Sequence, residues 1–228
     1  GKVDSGLVAS AINLASKLKN ESAHDACQVI LRIFSMATNN FEFSIVKEEL
    51  EKWMKYDISI PGTLNHGKIL SALGQISAFS GNNEQAIQFF ENSMEMFNQL
   101  SDKKQAQINF SQTEIYRLIT LMDSNNERFL NEFDNWRDNL PKNHKQLARS
   151  DNGHRFVHHL MLRGFLQYPD KFTPEINEYL NLEDEWQSFN DYPWHWINAY
   201  RGWLFALKGN TNLSSEYFQL AIDYCKNE

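Results

Sequence analysis

LSALGQISAFSGNNEQAIQFFENS, residues 70–93, returns in outline as NAYRGWLFALKGNTNLSSEYFQLA, residues 198–221. The larger side chains differ, but the small-residue punctuation recurs 128 positions on: Gly74 matches Gly202, Ala78 matches Ala206, Gly81-Asn82 matches Gly209-Asn210, and Phe90 matches Phe218. Each copy reads as helix, tight turn, helix. Gly81 suits the left-handed conformation that ends a helix. Gly74 and Ala86 lack bulk where two paired helices would cross, and Phe90 would fill the groove beside them. Self-similarity on this scale predicts a helical repeat array, and such arrays mostly bind other proteins.

Outward from these copies the same helical periodicity continues. Leu7, Val8, Ala11, Ile12, Leu14, Ala15 and Leu18 stand at spacings of three and four over residues 5–19, and Ala26, Val29, Ile30, Ile33, Phe34 and Ala37 do so over 24–38. A third helix is expected over 42–56, after which Ile60-Pro61-Gly62 breaks the pattern. Further helices are expected near 65–80, 83–100, 105–122 and 126–138, the third of these capped by Ser101-Asp102 and the last two separated by Asp123-Ser124-Asn125. Another should run from Asn152 to Gln167 and close at Tyr168-Pro169-Asp170, with a start signal following at Thr173-Pro174. The last pair is placed at 193–208 and 212–226. The fold class is therefore all-α, with about eleven helices.

The order Leu70, Leu73, Gly74, Ser77, Gly81, Ala86, Phe90, Ser93 resembles the tetratricopeptide repeat, a helix pair of about 34 residues with small residues where its helices cross. The second copy keeps Gly202, Gly209, Phe218 and Ala221 in the matching places, and departs at Arg201 and Ser214. The resemblance is specific over residues 65–98 and 193–226 and architectural elsewhere. It implies a superhelical α-solenoid of antiparallel helix hairpins over 1–228: N-terminal helices to residue 58, the best-matching repeat at 65–100, degenerate pairs over 105–190 and a C-terminal repeat at 193–227. It also implies a concave face lined by the first helix of each pair. In the first copy that face would hold Lys68, Ser71, Ala72, Gln75, Ala78 and Phe79, and in the last copy Trp196, Ala199, Tyr200, Trp203, Ala206 and Leu207.

Rigid aromatics lose little entropy on binding, so Trp196, Tyr200 and Trp203, with Lys68, Gln75 and Phe79, are the candidate partner-binding residues. The alternative for the aromatic set is core packing. The last helix is apolar nearly all round, with Leu213, Tyr217, Phe218, Leu220, Ala221, Ile222, Tyr224 and Cys225. A homodimer contact there, or docking on another part of the chain, is one expectation, and folding back into the core is the other.

Composition narrows the function classes. Hydrophobic residues make up 42% of the 228 residues, ample for a core, and no apolar run approaches the ~20 residues that span a bilayer. A formal charge of -7 opposes non-specific binding to nucleic acid or anionic membrane. Cys27 and Cys225 are too few for a disulfide framework, which fits a reducing, cytoplasmic setting. The start at Gly1-Lys2-Val3-Asp4 suggests a piece of a longer polypeptide.

Chemistry has little visible basis. His154 and His158 lie one helical turn apart and could share a metal ion with Asp151, with His159 alongside, but no second ligand pair completes the set. No phosphate-binding loop, dinucleotide turn or nucleophile elbow occurs, and no cofactor is expected. Basic residues dominate from Arg137 through Lys142, Lys145, Arg149 and Arg155 to Arg163, and an acidic block follows around Glu183-Asp184-Glu185. The leading expectation is a non-enzymatic protein-binding module, the sensor or scaffold of a larger regulatory or signalling protein. The alternatives are a metal-dependent or phosphate-handling enzyme around the histidines, or nucleic-acid binding through 137–163.

Overall fold

A computed structural model describes residues 5–19, 21–39, 43–55, 63–100, 103–138, 160–161, 163–172 and 195–226. Among them every regular element is helical and no strand occurs. The chain divides into two compact units, Gly1–Asp138 and Asn139–Glu228. Each is treated by itself.

The first unit contains α1 (Ser5–Leu18), α2 (Ala23–Asn39), α3 (Phe43–Lys55), α4 (Leu64–Phe79), α5 (Asn83–Gln99), α6 (Lys103–Asp123) and α7 (Arg128–Asp138). Each helix packs on its neighbour in sequence, and α4 also touches α2 and α6. The apolar stripes predicted for the first helices converge in one core. Val8 and Ala15 of α1, Ile30 and Ile33 of α2, Leu50 and Trp53 of α3, and Ile69, Leu73 and Ile76 of α4 are all buried there. A half-buried polar bridge ties α2 to α4, where Gln28 Nε2 donates to Asn65 Oδ1 at 2.9 Å and Asn65 Nδ2 lies 3.2 Å from His24 Nδ1. Pairing both ends of the Asn65 amide removes the cost of burying it.

Three helix ends share one turn. At the end of α4 the Asn82 N–H donates to Ser77 O at 2.9 Å and the Gly81 N–H to Ala78 O at 3.0 Å, with Gly81 at φ +79. That is the double closure of a Schellman turn, which needs a left-handed residue just past the helix. The end of α6 repeats it with Asn125 at φ 50, through Asn126 N to Leu121 O and Asn125 N to Met122 O. In the second unit, α8 (His195–Leu207) closes the same way on Gly209 at φ +74. Asparagine then opens the following helix. Asn126 Oδ1 accepts from Arg128 N at 3.0 Å, and Asn210 Oδ1 accepts from Leu213 N at 3.2 Å at the start of α9 (Thr211–Lys226).

The second unit also contains helical residues 163–167 and 169–172. The helix expected to close at Tyr168-Pro169-Asp170 ends at Gln167, and the chain re-enters helical structure at Pro169. Proline serves here as a first helical residue, where its missing N–H costs nothing, and Tyr168 O accepts from Lys171 N and Phe172 N at 3.1 Å. The predicted cap at Ser101-Asp102 and the start at Thr173-Pro174 lie outside the described residues.

Candidate functional site

The geometry of the helix pairs rests on glycines that seat phenylalanine rings. A Cβ placed on Gly74 would lie 2.5 Å from the ring of Phe90, and one placed on Gly202 would lie 2.8 Å from the ring of Phe218. No side chain fits at either place without moving the ring. Two turns before Gly74, Gly67 seats Phe97 in the same manner. Gly67 with Phe97 and Gly74 with Phe90 form a crossed order that only antiparallel helices produce. Ser93, fully buried, donates to Gly67 O at 2.7 Å and fastens the crossing. Gly164 seats Phe172 likewise in the second unit, a pairing for which the sequence showed no repeat signal.

The candidate partner-binding residues divide between the two units. On α4, Phe79 is 58% exposed, while Lys68 and Gln75 are half-buried. Burial lowers the Lys68 amine below its usual range, partly offset by the nearby Cys27 thiol. Ser71 and Ala72 were mapped to the same face, but both are buried, and Ser71 Oγ lies 3.0 Å from Thr113 Oγ1 of α6. They cannot meet a partner, because α6 covers Ser71 and Ala72 is part of the core shared with α1, α2 and α3. On α8, Trp203 is 51% exposed and meets Phe218 edge-on at 6.0 Å. It is thus both packed and presented. Leu207, one turn further, is also exposed. Trp196 and Tyr200 belong to α8, but their side chains lie outside the described residues. On α9, Ala221 is buried and Leu220 and Ile222 are exposed.

A charged cluster that sequence reading missed joins α5, α6 and α7. Arg117 of α6 is buried and ion-pairs with Glu132 of α7, while its other terminal nitrogen stands 3.5 Å from Glu91 of α5. Arg128 of α7 reaches the same two carboxylates, Glu91 at 2.7 Å and Glu132 at 2.9 Å. Two guanidiniums and two carboxylates balance. Glu114, on α6, adds a third carboxyl: burial pushes it up to about 7, against the pull of Arg117 and with the push of Glu132. The signal in the sequence was a lone arginine inside Ile115-Tyr116-Arg117-Leu118-Ile119, a charge in the middle of an apolar run. Its partners, at positions 91 and 132, carry no motif.

Beside this cluster, α5 and α6 border an open groove of about 460 Å3. Met94 and Phe110 supply apolar wall, Glu95, Asn98 and Gln99 supply polar edge, and Glu91 and Arg117 connect it to the ion pairs. No groups suited to nucleophilic chemistry meet there. Cys27, the one described cysteine side chain, is fully buried and its thiol is pushed up to about 11 by burial, so it carries little thiolate at neutral pH.

The histidine constellation His154, His158 and His159 lies outside the described residues, as does the basic segment between Arg137 and Arg163 apart from short pieces. Arg137 itself pairs with Asp134 at 3.0 Å and Asp138 at 3.2 Å. Among the described residues no group of three metal-ligating side chains occurs, and no helix is long and apolar enough to cross a membrane. No family model matches the chain, and neither a curated protein nor a solved structure matches it.

Proposed function

We propose that this chain is a non-enzymatic protein-interaction module, built as a tetratricopeptide-like stack of antiparallel helix hairpins, that captures a peptide or protein on the first helices of its pairs. The observation that carries this reading is the pairing of a locked crossing with a presented aromatic. In both repeat copies a glycine seats a phenylalanine, and on the first helix of each an aromatic side chain stands more than half exposed, Phe79 at 58% and Trp203 at 51%. A rigid support beneath a half-packed aromatic reduces the entropy lost on binding. The cytoplasmic setting rests on the scarcity of cysteines, and the role of sensor or scaffold in a larger regulatory protein on analogy with other repeat arrays. Exposed Leu220 and Ile222 on α9 support a homodimer contact as a secondary role of the last helix.

The test uses an array of immobilised peptides of systematically varied composition, probed with the native chain and with Trp203→Ala. The peptides that the native chain retains should be lost on substitution while helical circular dichroism stays unchanged. Equal retention by the two proteins would reject this face.

A further inference from the structure

The groove between α5 and α6 has the features of a second recognition site, apart from the presented aromatics Phe79 and Trp203. Its walls are apolar: Met94 and Phe110 are both half-buried and both border the opening. Methionine adapts its shape to a guest more readily than a branched side chain. Its open charge is negative. Arg117 is only 9% exposed, its terminal nitrogens are engaged by Glu91 and Glu132, and its Nε is buried, so it offers nothing to an anion. Glu95, by contrast, is exposed and makes no ion pair among the described residues. Its carboxylate receives a single long hydrogen bond, from Gln99 Nε2 at 3.4 Å. Asn98 and Gln99 are exposed amides one and two helical steps past Phe97, each able to donate to and accept from a peptide backbone.

We infer that this groove takes an extended peptide segment in which one apolar side chain, seated between Met94 and Phe110, is flanked by lysine or arginine that meets Glu95. Charge complementarity selects this occupant. The carboxylate at the edge, without an ion pair, attracts a cation, the chain's formal charge of -7 reinforces that preference at longer range, and an acidic segment would meet repulsion that no cation lining the groove is free to offset, Arg117 being buried and engaged. The apolar wall distinguishes the site from a merely acidic surface, since a basic segment without the central apolar group would leave Met94 and Phe110 uncovered.

The probe is an acetylated, amidated pentapeptide of one leucine with two lysines on either side, titrated into the full chain carrying labelled methionine methyl groups. The Met94 methyl signal should shift and saturate. Glu95→Lys, a change at an exposed position, should weaken binding by about tenfold or more, and replacing the leucine by glycine or the lysines by glutamates should do the same. Trp203→Ala should leave the titration unchanged, which separates this site from the first-helix face. Absence of a saturating Met94 shift, equal binding of the glycine or glutamate peptide, or loss of binding on Trp203→Ala would each overturn the inference.

Discussion

The pairs α4–α5 and α8–α9 share a turn, a glycine seat and a phenylalanine in the same order, yet they differ in how deeply that phenylalanine is buried. Phe90 is 1% exposed, stacks with Tyr116 of α6 at 6.1 Å, and sits within a helix pair that carries a second seat at Gly67 and Phe97. Phe218 is half-buried and has Trp203 across its edge. In α4 ten residues are buried and Phe79 is exposed near its end, whereas α8 leaves both Trp203 and Leu207 exposed. The local spacing of small residues therefore builds the pair, and the neighbours laid against it decide whether its outer side chains become core or surface.

The sharpest way to test that division is to empty the two seats in turn. Phe90→Ala should cost about 4 kcal/mol, the range for removing a fully buried phenylalanine from a close-packed site. Phe218→Ala should cost about half as much, because solvent already reaches the ring. Urea unfolding, with amide exchange in α5 and α9 to assign each loss to its own pair, measures both. Equal costs would mean that enclosure adds nothing to the seat.

Electrostatics gives the first unit a dependence on pH. The cluster on α5–α7 contains Glu114, which holds its proton up to about 7 in the folded chain against an ordinary value of 4.5. The raised value fixes the sign: the folded state binds the proton more tightly than the unfolded one, so this stabilising contribution is complete below pH 4.5 and fades as pH rises through 7. The full span is at most about 3 kcal/mol. Glu114→Gln should remove that slope and leave the variant more stable than the native chain above pH 7. In α8–α9 the guanidinium of Arg201 instead stacks over the Tyr217 ring at 5.6 Å. Parallel stability curves for native and Glu114→Gln chains from pH 5 to 8 would refute the assignment.

Closing the glycine seats is the next smaller effect. Alanine in mid-helix ordinarily gains about 1 kcal/mol over glycine, but at Gly74 the added methyl meets a ring that the core holds in place. Gly74→Ala should therefore cost about 2 kcal/mol net. Gly202→Ala should come out near neutral, because Phe218 is half-buried and can yield. Thermal unfolding of the two variants compares them directly.

Much of the helical layout was legible in the sequence, for a definite reason. Helices with one wet face betray themselves by period, so the expected 5–19, 24–38, 65–80 and 83–100 fall within a residue or two of α1, α2, α4 and α5. What escaped was whatever depends on residues far apart in the chain. Arg117 marks itself by interrupting an apolar run, but nothing in residues 91, 128 and 132 announces that they converge on it. Burial of Ser71 and Ala72 was hidden similarly, since Ser71 depends on the approach of Thr113 from α6 and Ala72 on the core that α1, α2 and α3 build against α4. Gly164 and Phe172 were missed because their seat is made within eight residues across a proline, outside the spacing of the other pairs.

The turns supply the smallest comparison and the finest test of it. Gly81 and Gly209 reach their left-handed conformations without a side chain, and no heavy atom lies within 4 Å of where a Cβ would be. Gly81→Ala therefore meets no clash, only the backbone cost of about 1 kcal/mol for an L-residue at positive φ. Asn125 occupies the same position after α6 and already bears part of that cost, which asparagine tolerates better than most residues. Asn125→Gly should then raise stability by no more than about 0.5 kcal/mol, since relief of the turn is offset by the greater freedom of glycine in the unfolded chain. If the asparagine side chain were itself holding α6 to α7, the same substitution would instead lower stability, and amide protection at Asn126, which donates to Leu121 O, would fall with it.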